Sequence, residues 1–343
     1  RAQNVVAVVY TPLHGAGNRP VRTVLEKAGV KRLFVVSCQE QPDPQFSTVN
    51  SPNPEEAEAF RLARKLAEQV QADIVIGTDP DCDRAGVMAK NKQGEYMLLN
   101  GNQTGALLLH YLLSRMKEQG AIPENGAVIK TVVTGDLGAE IAKSYGLRVF
   151  QTLTGFKYIA EKIKQFERDN TYRFVFGYEE SLGYLAGTHC RDKDAVSSAL
   201  LICEAAAYYK LQGKTLADVL EELYRQYGYF QEQLRSLTLT GKEGSRQIRR
   251  IMEDWRENPP AALNGQKVAQ VLDYLPGIDG LPPENALKII LQDGSWCVLR
   301  PSGTEPKLKV YFAVRGTSEE EANQRMNTFV QQVMARVSLA GGS

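Results

Sequence analysis

Short apolar runs alternate with amphipathic, helix-period segments over the first two-thirds of this chain. That alternation constrains the fold class more than any other feature. Val5–Tyr10, Leu33–Val36 and Ile74–Ile76 read as buried strands, with helices over Pro20–Ala28 and Glu55–Val70 between them. Proline suits a first helical turn and glycine the residue after a helix end, so Pro20 and Gly29 bracket the first helix. A second series repeats the plan: helix Thr104–Lys117, strand Ala127–Val133, helix Leu137–Tyr145, strand Leu147–Phe150, helix Phe156–Phe166 and strand Tyr172–Phe176. Strands alternating with helices predict βαβ units, hence two consecutive α/β domains built on mixed, mostly parallel sheets. The passages His14-Gly15 and Thr134-Gly135 each lead from a strand into a helix, which predicts related topologies for the two domains.

The rhythm then changes. Helices Ala195–Lys210 and Leu216–Tyr227 are followed by strand Leu234–Thr240, helix Ser245–Arg256, strands Val268–Leu272, Ala286–Leu291, Trp296–Leu299 and Leu308–Val314, and a closing helix Glu319–Val337. Strands in hairpin-like succession flanked by helices predict a smaller α+β domain. At about one domain per 100–200 residues, 343 residues accommodate domains at 1–100, 101–228 and 229–343.

Charge excludes whole classes of partner. Forty-one Lys+Arg balance forty Asp+Glu, leaving +1, without the basic excess that nucleic acid demands. No window approaches the roughly 18 consecutive apolar residues of a membrane span. The five cysteines (Cys38, Cys82, Cys190, Cys203, Cys297) are odd in number and include no CxxC. That fits reduced thiols in a cytoplasm better than a disulfide framework or a zinc site. Arg1 leads almost at once into the strand-like run Asn4–Tyr10, and a core strand without a lead-in raises the expectation of a preceding segment.

Three loops can carry chemistry. Gly77–Gly86 places Asp79, Asp81 and Asp83 at alternate positions directly after a strand. Like charges so close repel unless a cation sits among them, and hard oxygens favour Mg²⁺ or Ca²⁺. An EF-hand is excluded, because Arg84 stands where its glycine belongs and Lys90 where its glutamate belongs. Arg300-Pro301-Ser302-Gly303-Thr304-Glu305-Pro306 offers fork donors, hydroxyls and a loosened backbone to a phosphate; standing alone it would read as a hairpin turn. In Gly177–Gly183, Glu179 and Ser181 at i, i+2 can face one way and suit paired sugar hydroxyls. Thr152–Lys157 joins strand to helix and can meet an anion. His14–Pro20 has the outline of a dinucleotide loop, but Pro20 replaces the third glycine. Asp194 suits an N-cap, His110 reads as a core histidine, and the tyrosines 208, 209, 224, 227 and 229 read as packing.

Taken in order, Thr11–Gly15, Gly77–Gly86, Thr154–Lys157, Gly177–Gly183 and Arg300–Pro306 make the whole chain similar to the α-D-phosphohexomutase superfamily, which includes phosphoglucomutase and phosphomannomutase. The Gly-Tyr-Glu-Glu-Ser run resembles the bacterial phosphoglucomutase branch. The resemblance implies four domains around a cleft and a phosphoserine that passes its phosphoryl group to a sugar monophosphate, giving a bisphosphate that returns the other phosphate. It implies Mg²⁺ on Asp79, Asp81 and Asp83, with the phosphoserine as fourth ligand and Arg84 beside the site. Glu179 and Ser181 would hold sugar hydroxyls, and Arg300, Ser302, Gly303 and Thr304 the non-reacting phosphate. Thr154, Gly155 and Lys157 would read the sugar's other end. Lys193 matches the family's lysine after the sugar loop and would serve as general acid/base with a lowered pKa.

Two departures stand out. Gly177–Gly183 holds no histidine, unlike many phosphomannomutase-type members, and the family's nucleophile run Thr-Ala-Ser-His-Asn-Pro is absent: no histidine here precedes an asparagine. Ser51-Pro52-Asn53-Pro54 imitates it without the histidine and reads as structural. The expectation is therefore domains two to four of a Mg²⁺-dependent mutase, inactive without its serine-bearing domain. Mannose or pentose phosphate specificity, a non-catalytic sugar-phosphate module, and a phosphatase using Asp81 as nucleophile and Asp83 as acid/base are the alternatives.

Overall fold

The computed structural model describes residues 5–303 and 305–340, which group into two compact units, Arg1–Leu223 and Tyr224–Ser343. Thr304, expected in the phosphate loop, lies outside the described residues.

The first unit holds two sheets. In the first, β1 (Ala7–Thr11) lies between β2 (Arg32–Val35) and β3 (Ile74–Thr78), parallel to both. Helices α1 (Asn18–Lys27) and α2 (Arg61–Val70) precede β2 and β3 as crossovers, and β4 (Ala85–Lys90) and β5 (Tyr96–Leu99) then add antiparallel strands, giving the order β2-β1-β3-β4-β5. After α3 (Gly101–Glu118), capped by a reciprocal Asn100–Gln103 box, the second sheet repeats the plan. β6 (Gly126–Thr131) sits between β7 (Arg148–Thr152) and β8 (Arg173–Glu179), with α4 (Leu137–Ser144) and α5 (Phe156–Asp169) as crossovers, and β9 (Gly183–Ala186) returns antiparallel to β8. The related topology expected from the two loop-helix passages is present in four strands of each sheet, β2-β1-β3-β4 and β7-β6-β8-β9, and β5 has no counterpart among the described residues. Val9, Leu13, Phe60 and Val75 pack one core; Ile129, Phe156, Ile163 and Phe174 pack another. Helix α6 (Ala195–Lys210) follows, its N-terminus capped by Asp194, whose carboxylate accepts from the N–H groups of Val196 and Ser197.

Strands β4, β5 and β9 were not expected. Each has four to six residues, and β4 is the run Ala-Gly-Val-Met-Ala-Lys, poor in strand-forming side chains and buried on both faces. Its hairpin with β3 builds it, where local propensity would not. The helix expected over 55–70 begins as a 3-10 turn at Ala57–Phe60 and becomes α-helical only at Arg61.

Helix α7 (Leu216–Tyr227) leads out of the first unit. The second unit is antiparallel throughout its six-stranded sheet, β10-β15-β14-β13-β12-β11. These are β10 (Tyr229–Thr238), β11 (Ala262–Leu263), β12 (Gln266–Asp273), β13 (Leu287–Leu291), β14 (Trp296–Pro301) and β15 (Lys307–Gly316). Helices α8 (Gly241–Glu257) and α9 (Glu319–Ala340) cover it around Trp255, Ile289, Phe312 and Phe329. Among the described residues no helix is long and apolar enough to cross a membrane.

The β1–α1 loop is packed directly beneath the Asp79–Asp83 loop. The Ala16 N–H donates to the Pro80 carbonyl at 2.8 Å. A Cβ on Gly15 would lie 2.5 Å from Pro80 Cα and 2.6 Å from its carbonyl oxygen. Backbone, unlike a side-chain tip, cannot swing away. Gly15→Ala is therefore expected to destabilise the chain by about 1–3 kcal/mol, read as a lower urea midpoint; an unchanged midpoint would mean that the two loops separate freely.

Candidate active site

Asp79 follows the last residue of β3, the central strand, at the carboxyl end of the parallel strands, where open α/β sheets carry their ligand sites. It is buried at 1% exposure. Its Oδ1 accepts from the backbone N–H groups of Asp83 (3.1 Å) and Arg84 (2.9 Å), and its Oδ2 from Arg84 Nε at 2.6 Å. The chain can fold back this tightly because Cys82 takes a left-handed conformation, φ 60°. Asp81 is exposed and Asp83 half-buried, and Asp83 Oδ2 accepts from Lys193 Nζ at 2.9 Å. One oxygen from each of the three carboxylates lies within 4.8 Å of the others. The donor set fits a hard divalent cation such as Mg²⁺. With Arg84 and Lys193 as the nearby cations, the cluster is net negative, and a divalent ion would reverse that sign. Withdrawal from water raises the Asp79 carboxyl above the ordinary carboxylate range, although the hydrogen bonds from Arg84 pull the other way.

The turn after β8 meets this loop. The Ala85 N–H donates to the Leu182 carbonyl at 3.1 Å, the Ala195 N–H to the Cys82 carbonyl at 3.2 Å, and Arg84 pairs with Gly183 as a single antiparallel bridge. Lys193 reaches Asp83 across Gly183, where a Cβ would stand 2.1 Å from Lys193 Cδ. Burial pulls the Lys193 ammonium down, but the hydrogen bond to Asp83 and the surrounding carboxylates outweigh it and hold it above the ordinary lysine value. This differs from the lowered value expected of a general base, because Asp83 is paired with the ammonium itself.

Glu179 ends β8, buried, with Oε1 accepting from the Gly155 N–H at 2.7 Å. Gly155, at φ 117°, opens α5 in a conformation that side chains avoid. Burial raises the Glu179 carboxyl, opposed by that N–H and by Lys193. Thr154 Oγ1 is buried without a hydrogen-bond partner among the described residues. Lys157 is exposed, its Nζ 4.9 Å from the Tyr158 ring centre. Ser181 is half-buried. It does not continue the pleat of Glu179, since the strand ends there and Leu182 turns left-handed at φ 68°.

Two polar groups in this region were not anticipated. Lys130, 1% exposed within β6, pairs with Asp136 at 2.8 Å and donates to the Thr134 carbonyl at 2.6 Å; a lysine inside an otherwise apolar run was the available signal. Glu180 accepts from Thr134 Oγ1 at 3.1 Å. His14 is spoken for structurally, its ring nitrogens bonded to the Gln41 carbonyl and Thr48 Oγ1, both at 2.8 Å.

In the second unit, Arg300 near the end of β14 is half-buried, its Nε donating to Glu284 Oε1 at 2.5 Å. The Ser302 N–H bonds the Lys307 carbonyl at 2.7 Å. A Cβ on Gly303 would meet nothing within 4 Å, so this loop is open to what approaches it.

An α/β unit with paired functional loops, followed by an antiparallel α+β unit, defines a class, and comparison with known proteins identifies it. Residues 1–94 match the phosphoglucomutase/phosphomannomutase alpha/beta/alpha domain II, residues 100–227 its domain III, and residues 247–331 its C-terminal domain. The chain belongs to the phosphoglucomutase/phosphomannomutase family of the α-D-phosphohexomutase superfamily. It is 38% identical over 339 residues to a phosphoglucomutase of Staphylococcus haemolyticus, covering 96% of this chain and 61% of that protein. With a phosphoglucomutase of Staphylococcus aureus the figures are 37%, 94% and 59%. The chain thus spans about three fifths of these relatives. Its fold resembles the open form of the Paramecium phosphoprotein pp63/parafusin (TM-score 0.71, 15% identity, 98% of this chain and 57% of that one). It also resembles a phosphoglucomutase/phosphomannomutase family protein of Burkholderia thailandensis (TM-score 0.66, 16% identity, 98% and 63%).

Withdrawal from water pushes the Glu180 carboxyl up to about 7. The folded state therefore binds this proton more tightly than the unfolded state does. The stability it contributes is full below the unfolded value, about 4.3, and is lost as pH rises through about 7. Glu180→Gln, which copies the neutral form, is expected to flatten the fall in thermal midpoint across that interval; parallel midpoint-against-pH curves for the two proteins would refute the assignment.

Proposed function

We propose that the chain is part of a Mg²⁺-dependent phosphohexomutase that interconverts sugar 1-phosphate and sugar 6-phosphate through a phosphoserine and a bisphosphate, with glucose phosphate as substrate. The observation that carries this reading is the junction of the two loops, which puts Asp79, Asp81, Asp83, Arg84 and Lys193 in one place. The phosphoglucomutase relatives support the choice of sugar. Phosphoryl transfer asks for positioning and charge neutralisation more than for new covalent chemistry.

Asp79, Asp81 and Asp83 would hold the Mg²⁺, which when bound neutralises phosphoryl oxygens. Arg84 aims Asp79 through the hydrogen bonds already described, which also oppose the rise that burial imposes on its carboxyl. Lys193, kept protonated by Asp83, brings a positive charge and a transferable proton to the oxygen that gains or loses the phosphoryl group. Glu179, fixed by the Gly155 N–H, accepts from sugar hydroxyls, and Ser181 can both accept and donate. Thr154 stands on the same strand-to-helix loop as Gly155, and Lys157 in the first turn of α5 that follows it. In the second unit, Arg300, Ser302, Gly303 and Thr304 offer donors of the kind that hold a phosphate. The serine nucleophile would come from sequence outside these 343 residues, and the cytoplasm, where sugar phosphates are held, is the proposed location.

Calorimetric titration of the 343-residue chain with glucose 1-phosphate and glucose 1,6-bisphosphate tests this. Binding is expected to require Mg²⁺, with Mg²⁺ affinity falling at least about tenfold in Asp81→Asn, and no glucose 6-phosphate is expected to form. Turnover by this chain alone, or a phospho-aspartate trapped at Asp81, would overturn the reading.

A further inference from the structure

The loop that leads into α6 gathers a second set of donor atoms, different residues from those of the Asp79–Asp83 loop, to which Lys193 and Ala195 tie it. His189, Cys190 and Asp194 each bring one ligand atom, and the three lie within 4.8 Å of one another. The set differs in kind from three carboxylates: it offers a nitrogen, a sulfur and an oxygen. Thiolate with imidazole suits a borderline, thiophilic ion, whereas Mg²⁺ and Ca²⁺ prefer oxygen alone.

The geometry is close to what such an ion needs. His189 Nε2 and Asp194 Oδ2 are 3.0 Å apart and share a proton. Two ligands at about 2.0–2.1 Å from a tetrahedral ion stand roughly 3.3 Å apart, so an ion can take that proton's place with little movement. Cys190 is half-buried against the core beneath α5, its thiol donating to the Asp192 carbonyl at 3.2 Å.

The loop is braced by groups outside the donor set. Arg191 donates to the carbonyls of Thr188 (2.9 Å) and Cys190 (3.0 Å), and makes two further bonds to the Glu167 carboxylate at 2.6 and 2.7 Å. Asp194 is pinned by the Val196 and Ser197 N–H groups. With the backbone held at both ends, little ordering remains to oppose binding. The His189 side chain is 47% exposed, so a water can complete the fourth position, the arrangement of a site with three protein ligands.

We propose that His189, Cys190 and Asp194 bind a divalent cation of the Zn²⁺ class. Cys190 binds as thiolate, releasing its proton to solvent, and His189 binds through Nε2 as the neutral imidazole tautomer that carries its proton on Nδ1. Thiolate and carboxylate then balance the ion's two charges.

Co²⁺ is a coloured stand-in for Zn²⁺ and reports sulfur ligation directly. Titration of the reduced chain with Co²⁺ in excess Mg²⁺ is expected to give a thiolate-to-cobalt charge-transfer band saturating at one equivalent and erased by one equivalent of Zn²⁺. Cys190→Ser is expected to remove the band, and His189→Ala to weaken binding at least about tenfold. Cys82→Ser, which removes the thiol of the Asp79–Asp83 loop, is expected to leave it unchanged. A band that persists in Cys190→Ser, or disappears in Cys82→Ser, would overturn the site. Alkylation of the unmodified chain covers the case of a variant that misfolds: Zn²⁺ should protect Cys190 from iodoacetamide, and equal labelling with and without Zn²⁺ would refute the proposal.

Discussion

The first unit depends on one junction, where the turn after β3 is hydrogen-bonded to the turn after β8. The Asp79 carboxylate organises the first turn from inside by accepting two of its own backbone N–H groups and the Arg84 guanidinium. The carboxylate is buried, so these bonds are the compensation for taking a charge out of water. Arg84, so placed, bridges to Gly183. Ala85 and Cys82 then tie the turn to Leu182 and to the start of α6 through backbone atoms alone. Lys193 closes the ring onto Asp83. Asp79, Arg84, Asp83 and Lys193 are thus each positioned by another member of the same ring.

The two turns occupy the same place in two copies of one topology. Each connects the third strand of a sheet to its antiparallel fourth, and each contains a left-handed residue that is not glycine, Cys82 at φ 60° and Leu182 at φ 68°. Such conformations cost of order 1–3 kcal/mol each and persist only where surroundings impose them. Here the surroundings are the partner turn. The strain and the contact explain each other, since reversing the chain so abruptly is what brings both turns within hydrogen-bonding reach.

Much of this was legible in the residues. Helices Ala195–Lys210 and Leu216–Tyr227 were readable to the residue, the first because Asp194 is an N-cap that states its own boundary. The carboxylate triad was legible because acidic residues at alternate positions have few other uses. What escaped were features settled by pairing across long stretches of chain. β4 and β9 exist as partners of β3 and β8, not through their own propensity. Ser181 left the face of Glu179 because a turn at Leu182 ended the pleat, and alternation holds only while the strand lasts. The protonation of Lys193 depended on Asp83, 110 positions away in sequence, which no local pattern encodes.

A chain with a formal charge of +1 can serve an anionic ligand because its charges are sorted locally. Asp79 is matched to Arg84, Asp83 to Lys193, and Glu179 to a backbone N–H. Paired in this way, the groups hold their positions before any ligand arrives, and the reorganisation that would otherwise accompany binding is already complete. Asp81 alone of the triad stays exposed, and it is the carboxylate whose removal would take away negative charge without stranding a buried partner. Asp79 is the opposite case. Without it Arg84 would keep its burial and lose its nearest anion, and the turn would lose the acceptor for two of its N–H groups, so the loop's shape and the site's charge rest on the same side chain.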